Sequence, residues 1–270
     1  MNNYIFKKKI IRQELLECFH DPVYFILKYA KFEHPCYGTS NFSPYGYQEK
    51  LLYSYKDNEF NITHGARQVG LTTITAMYVF WYAMFHSDKK IAIASKNLEA
   101  GRDILEKIRH AYEHLPKYIQ PEICTNLKGS IRFNNGSSID IITSDAARVR
   151  GCSLNLLVLD DYAYWTHQKQ DDFYKTMFPC FVKNDSSLII TSTAAPAGGT
   201  FETIFKRAQR GDNKFVAHHI KWDMVQREEG FRERITQIIG EVGWKVEYEC
   251  SKMIKEDHNG PREEYKSQDA

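Results

Sequence analysis

The sequence predicts an α/β fold, a mostly parallel central sheet flanked by helices, with a small helical subdomain at the N-terminal end. Two observations predict it. Short apolar runs at Phe60–His64, Lys90–Ser95, Leu156–Leu159 and Leu188–Ser192 read as strands, several of them apolar on both faces, as strands covered on both sides are. Between them lie stretches of helical length and period, so strand and helix alternate along the chain.

Taken in order, Tyr4–Lys31 reads as two helices broken at Asp21-Pro22, because Asp before Pro is a helix-start signal. Glu33–Gly46 is rich in Pro, Gly, Ser and aromatics and reads as a packed loop, and Tyr47–Tyr55 as a further helix. Phe60–His64 leads through a turn, Gly65–Thr72, into a helix over Thr73–Phe85. The apolar run Ile74–Phe85 is too short to span a bilayer and fits a buried helix. Lys90–Ser95 is followed by an amphipathic helix, Leu98–His114. Ser130–Phe133 and Ser138–Thr143 flank Asn134-Asn135-Gly136-Ser137, a hairpin signal. Helices from about Asp171 and from about Phe201 follow the later strands, and Phe231–Ile239 is helix-like. The division is residues 1–56 for the helical N-terminal subdomain, 57–222 for the α/β core, 223–254 for its end or a linker, and 255–270 for a polar, aperiodic tail expected to be disordered.

Composition excludes more than it assigns. The chain has 270 residues with a net charge of +2, so no basic excess announces nucleic-acid binding. The six cysteines form no CxxC pair, which argues against a zinc clip or a secreted disulfide framework and fits a reducing cytosol. The start, MNNYIFKKKIIRQ, lacks the long apolar run of a signal peptide. His110 and His114 stand one helical turn apart without a third ligand at a matching spacing and read as a solvated helix face.

Three segments carry chemistry. Gly65-Ala66-Arg67-Gln68-Val69-Gly70-Leu71-Thr72-Thr73 has the frame of a phosphate-binding loop between a strand and a helix start. Its glycines permit tight turning and let backbone N–H groups face phosphates, and the hydroxyl after the second glycine suits Mg²⁺. The lysine expected after Gly70 is replaced by Leu71. Alone, this loop does not differ from an ordinary strand-to-helix turn. A second segment changes the weighting. The buried strand Leu156–Leu159 ends in Asp160-Asp161. In P-loop ATPases the first such carboxylate holds Mg²⁺ and the second orients the attacking water. The third segment is the strand Leu188–Ile190 ending in Thr191, Ser192 and Thr193, hydroxyls able to sense a γ-phosphate or simply to cap a strand.

Together these segments resemble the ATPase domain of phage large terminase subunits, especially those of large contractile-tailed phages. The resemblance runs from about residue 15 to about residue 250. Asp21-Pro22-Val23-Tyr24-Phe25-Ile26 with His34-Pro35 resembles that family's N-terminal region, Tyr47-Gln48 its adenine-contacting motif, and Arg67-Gln68-Val69-Gly70 with Thr72-Thr73 its phosphate loop. Arg150-Gly151 ahead of the acidic strand and Thr191–Thr193 as a coupling motif also match. The resemblance implies a P-loop NTPase-like fold and an ATP-driven translocase of double-stranded DNA. It would work as a ring with the portal protein and the small terminase subunit, at the portal vertex of a procapsid in the host-cell cytoplasm, without a membrane. It implies ATP and Mg²⁺ as cofactors, with Thr72 and Asp160 on Mg²⁺, Gln48 on the adenine and Arg67 as an arginine finger from the same chain. Asp161 stands where the family has a catalytic glutamate.

Leu71 and the shorter Asp161 depart from that pattern and favour an alternative, a nucleotide-binding assembly module with impaired hydrolysis. No nuclease arrangement is legible near the end, where Asp223, Glu247 and Glu249 read as surface charges.

Overall fold

A computed structural model describes residues 2–34, 38–144, 153–181, 186–193 and 198–250. Arg150-Gly151, Pro35, Ala194–Pro196 and the tail 255–270 lie outside the described residues.

The N-terminal helices are α1, Asn2–His20, and α2, Pro22–Tyr29. Asp21 separates them because its carboxylate accepts from the backbone N–H of Val23 (2.8 Å) and Tyr24 (3.1 Å), capping α2 while Pro22 sits at its first position. Where the sequence reads as a loop, the chain forms a small antiparallel hairpin, β1 (Lys31–His34) with β2 (Gly38–Asn41). Helix α3, Gly46–Asp57, then leads to the main sheet.

That sheet comprises β3 (Phe60–Gly65), β4 (Lys90–Ser95), β5 (Ile123–Leu127), β6 (Ser130–Phe133), β7 (Ser138–Thr143), β8 (Leu156–Leu159), β9 (Ser187–Ser192) and β10 (Val216–Ile220). Its order is β10-β3-β9-β8-β4-β7-β6-β5, with parallel pairing from β10 to β7 and antiparallel pairing for β7-β6 and β6-β5. The four strands read from apolar runs, at Ile62, Ile190, Val158 and Ile93, lie side by side in that order.

Strand periodicity explains why both faces need cover. Ile91, Ile93, Leu156, Val158 and Ile189 face one apolar cluster, which takes in the N-terminal helices, α4 (Leu71–Phe85) and α5 (Leu98–Glu113). Ala92, Ala94, Leu157, Leu159, Leu188 and Ile190 face a second, built with α6 (His167–Phe181) and α7 (Thr200–Gln209). Helix α4 is apolar nearly all round, and Ile74, Ala76, Met77, Val79, Phe80 and Ala83 are fully buried. The last helix, α8, runs Phe231–Glu247 through a break at Gly240 (φ 74°, ψ 166°).

Candidate nucleotide site

Parallel strands all end on one side of the sheet, and ligands in open α/β sheets gather there. The register places Thr63 beside Thr191 and His64 beside Ser192, while Leu159 pairs with both Ile190 and Ala94. Asp160, one residue past β8, therefore stands next to Thr191. The Thr191 hydroxyl donates to Asp160 Oδ1 at 3.1 Å, and the Thr72 hydroxyl points at the same oxygen from 3.4 Å. The three motifs recognised in the sequence meet at this carboxylate.

The loop between β3 and α4 owes its shape to two left-handed residues, Gln68 (φ 58°) and Gly70 (φ 72°). At Gly70 a side chain would be strained and its Cβ would lie 2.8 Å from Gln48 Nε2. Gln48 is 3% exposed, and its amide is engaged at both ends. Its Oε1 accepts from Tyr45 N–H (3.0 Å), and its Nε2 donates to the Val69 carbonyl (3.3 Å), which also accepts from the Tyr47 hydroxyl. Gln48 thus reaches the loop from behind and braces its backbone.

Leu71 folds back over the loop. Its Cδ1 would meet a Gly65 Cβ at 2.7 Å, and the side chain is 7% exposed. Methyl groups therefore fill this place.

A cavity of about 410 Å³ opens between the loop and the strand ends. It is lined by Gln68–Thr73 of the loop and helix start, by Asp160, Asp161 and Thr191–Thr193, and by Ala100, Asp103 and Lys107 of α5. Burial, together with the neighbouring Asp161, pushes the Asp160 carboxyl up to about 7. Asp161 is raised too, chiefly by burial, and the cations Lys96 and Arg67 oppose that rise. Two crowded carboxylates facing a hydroxyl fit a hard divalent cation, which takes oxygen ligands and would relieve their repulsion. Asp161 adopts a left-handed backbone (φ 50°, ψ 36°), which Asp tolerates better than most residues.

The three hydroxyls at the end of β9 have separate partners. Thr191 serves Asp160, Ser192 Oγ accepts from Ala163 N–H (3.2 Å), and Thr193 Oγ1 donates to the Tyr164 hydroxyl (3.2 Å). Ser192 and Thr193 therefore hold the short turn Tyr162–Tyr164 that follows the acidic pair.

Arg67 is half exposed, and its guanidinium meets Glu247 rather than Asp160, Nε to Oε2 at 2.5 Å. Sequence reasoning misses Glu247, which it sets down as a surface charge. No local pattern marks it, because it meets Arg67 across 180 residues of chain. Glu249 accepts from Trp244 Nε1 and pairs with Arg232. The His110 and His114 rings pack against each other at a tilt, centres 4.4 Å apart.

The profile of the family described as Terminase large subunit, T4likevirus-type, N-terminal, matches residues 62–258. Solved structures share the fold. The large terminase ATPase domain of Thermus phage P74-26 superposes with a TM-score of 0.63 at 15% identity, covering 78% of this chain and 95% of that one. The large terminase of a thermophilic bacteriophage, in complex with ADP, gives 0.62 at 14%, over 77% of this chain and 53% of that one. The HK97 bacteriophage large terminase gives 0.63 at 13%, over 86% and 48%. The chain thus spans nearly all of the P74-26 ATPase domain and about half of the other two terminase chains.

Proposed function

The chain belongs to the T4-like family of terminase large subunits, whose N-terminal profile it matches over residues 62–258, and on that premise we propose that it is the ATPase part of a viral DNA-packaging motor. It hydrolyses ATP to drive double-stranded DNA through the portal into a preformed capsid. It acts as a ring on the portal vertex in the host-cell cytoplasm, together with the small terminase subunit. No helix of the described residues is long and apolar enough to cross a membrane. The work divides among the N-terminal subdomain at 1–56, the ATPase core at 57–222 and the segment 223–254.

One observation carries the reading: a glycine-framed loop, a buried carboxylate and a strand-end hydroxyl converge within hydrogen-bond reach at the C-terminal edge of a parallel sheet. The large terminase of the thermophilic bacteriophage has been seen with ADP and with ATP-gamma-S. In this chain backbone N–H groups of residues 68–72 cradle the phosphates, as glycine-framed loops do, while those of Ala66 and Arg67 are taken by the Ile220 and Glu247 carbonyls. Thr72 and Asp160 hold Mg²⁺, which neutralises phosphate charge when bound. Asp161 orients the attacking water and takes its proton. Arg67 stabilises charge on the γ-phosphate. Thr191, Ser192 and Thr193 couple its presence to the turn at Tyr162–Tyr164, and Gln48 fixes the loop on the adenine side.

Leu71 slows the chemistry more than it weakens binding, because backbone contacts survive a side-chain change and transition-state charge contacts do not. Steady-state ATP hydrolysis, with and without double-stranded DNA and portal, tests the reading. DNA-stimulated turnover lost on Asp160→Ala supports the motor. Nucleotide binding with no turnover under any condition supports instead the assembly module that Leu71 and Asp161 favour. Absence of nucleotide binding refutes both.

A further inference from the structure

We propose that Glu247 is the positioning residue for Arg67, holding the arginine for the γ-phosphate and linking it to the end of β9. The inference rests on the ATPase reading above.

Glu247 grips Arg67 at two points. Its backbone carbonyl accepts from Arg67 N–H at 2.8 Å, and its carboxylate accepts from Arg67 Nε at 2.5 Å. A half-exposed ion pair contributes little to stability, so the pair's consequence is orientation. Arginine has five N–H donors, and a partner on Nε leaves the four at the far end of the guanidinium for phosphate oxygens. The bound Glu247 therefore aims the side chain, and the Tyr164 hydroxyl is a second hydrogen-bond partner of the guanidinium.

The same carboxylate oxygen also receives the Tyr164 hydroxyl, at 3.5 Å, and that hydroxyl accepts from Thr193 at 3.2 Å. One oxygen thus joins the phosphate loop to the strand-end hydroxyls. Asp161 lies within the field of both charges, Arg67 favouring its ionised form and Glu247 opposing it. Neighbouring groups fix the loop from the same side. Arg227 Nη2 donates to the Gln68 carbonyl (3.0 Å), and the Tyr248 hydroxyl donates to Gln68 Oε1 (3.4 Å). These two hold Gln68, Arg227 reaching the Arg67 carbonyl as well (3.5 Å), whereas Glu247 holds the arginine side chain itself.

The test compares binding of Mg·ADP with binding of Mg·ADP–fluoroaluminate, which imitates the phosphoryl group in transfer. The proteins are the whole chain, Glu247→Ala, Glu247→Gln, Arg67→Ala and the double variant Glu247→Ala/Arg67→Ala. Glu247→Ala is expected to leave ADP affinity within about threefold and to weaken the fluoroaluminate complex by about tenfold or more, as loss of an oriented charge contact does. Glu247→Gln, which keeps an acceptor for Nε, falls between. Removing Glu247 from the Arg67→Ala protein changes nothing further, because a residue acting through another has no effect once that other is gone.

Three results overturn the proposal. Equal weakening of both complexes would make Glu247 merely structural. Effects that multiply in the double variant would make the two residues independent. Tighter fluoroaluminate binding in Glu247→Ala would mean that the glutamate restrains Arg67 instead of aiming it. If the unmodified chain binds neither complex, the ATPase reading fails and this inference with it. Normal binding that is indifferent to Glu247 ends this inference alone.

Discussion

Replacing Leu71 by lysine restores to the loop the cation its frame expects. Leu71 is 7% exposed, and its Cδ1 lies against the Gly65 backbone, so a lysine stem entering there follows the path the leucine already takes. The apolar loss is limited because that stem keeps about half of the contact, so that out of ~2 kcal/mol for a buried leucine roughly half is forfeited. The gain falls on the transition state. A well-placed donor to developing charge is worth ~3–4 kcal/mol, and each 1.36 kcal/mol is a factor of about ten in rate. Lys96 already acts on both Asp160 and Asp161, so part of that charge is supplied. The expected rise in kcat is therefore ~30–100-fold, below the full effect. The assay is steady-state phosphate release at saturating Mg·ATP, with thermal unfolding as a check on the fold. An unchanged kcat in a stable Leu71→Lys protein refutes the reasoning. So does an unmodified chain that turns over at an ordinary ~10 s⁻¹ and is silenced by Arg67→Ala, since Arg67 would then already replace the lysine.

The carboxyl at Asp160, pushed up to about 7, should make the proposed Mg²⁺-dependent binding pH-sensitive. Mg·ADP affinity should be flat above that value and fall about tenfold per pH unit below it, as read by calorimetry, because proton and cation compete for one carboxylate. The sign for stability is the reverse. A pKa raised by folding favours the nucleotide-free fold at low pH, and that contribution is lost as pH rises from about 4 through about 7. Asp160→Asn should flatten both profiles, and a slope unchanged in that variant removes Asp160 from the explanation. Asp161→Glu brings the side chain one methylene closer to water but puts a glutamate at φ 50°, where it costs ~1 kcal/mol more than Asp. It should raise kcat while lowering the melting temperature, and a fall in both argues against water activation at this position. Gln48→Ala should weaken nucleotide binding by about tenfold through loss of the Val69 brace and of the proposed adenine contact, a change of one buried polar group. Unchanged affinity denies it both roles.

The sheet is legible in the sequence because its central strands are apolar on both faces. Leu156–Leu159 and Lys90–Ser95 are bounded by polar residues, and the strands begin and end where those runs do. The outer elements are harder to see for a physical reason. Val216–Ile220 carries two histidines and lies at an edge, and Ile123–Leu127 is half exposed, so neither shows a continuous apolar run. The hairpin β1-β2 falls in a segment whose Pro and Gly read as loop. Helix α8 reads as ending near Ile239 because Gly240 interrupts its period, yet the chain turns back into helix as far as Glu247.

The site divides in the same way. Asp160 follows a strand, Thr191 ends one and Thr72 opens a helix, and parallel topology brings such positions to one edge, so local pattern is enough to nominate them. The residues that steady them come from elsewhere. Gln48 reaches the loop from the helix before β3, and Glu247 reaches it from α8, far along the chain. Side-chain pairing of that kind is decided by packing, and no spacing rule anticipates it. The substitution at Leu71 gains its meaning from this division. The loop's form depends on Gly70, on Gln48 behind it and on the bonds from residues 227–248, none of which involves the side chain at 71. On the proposed reading, the chain keeps a loop geometry suited to a nucleotide while lacking a side-chain cation at position 71. That is why binding and turnover have to be measured separately in this protein.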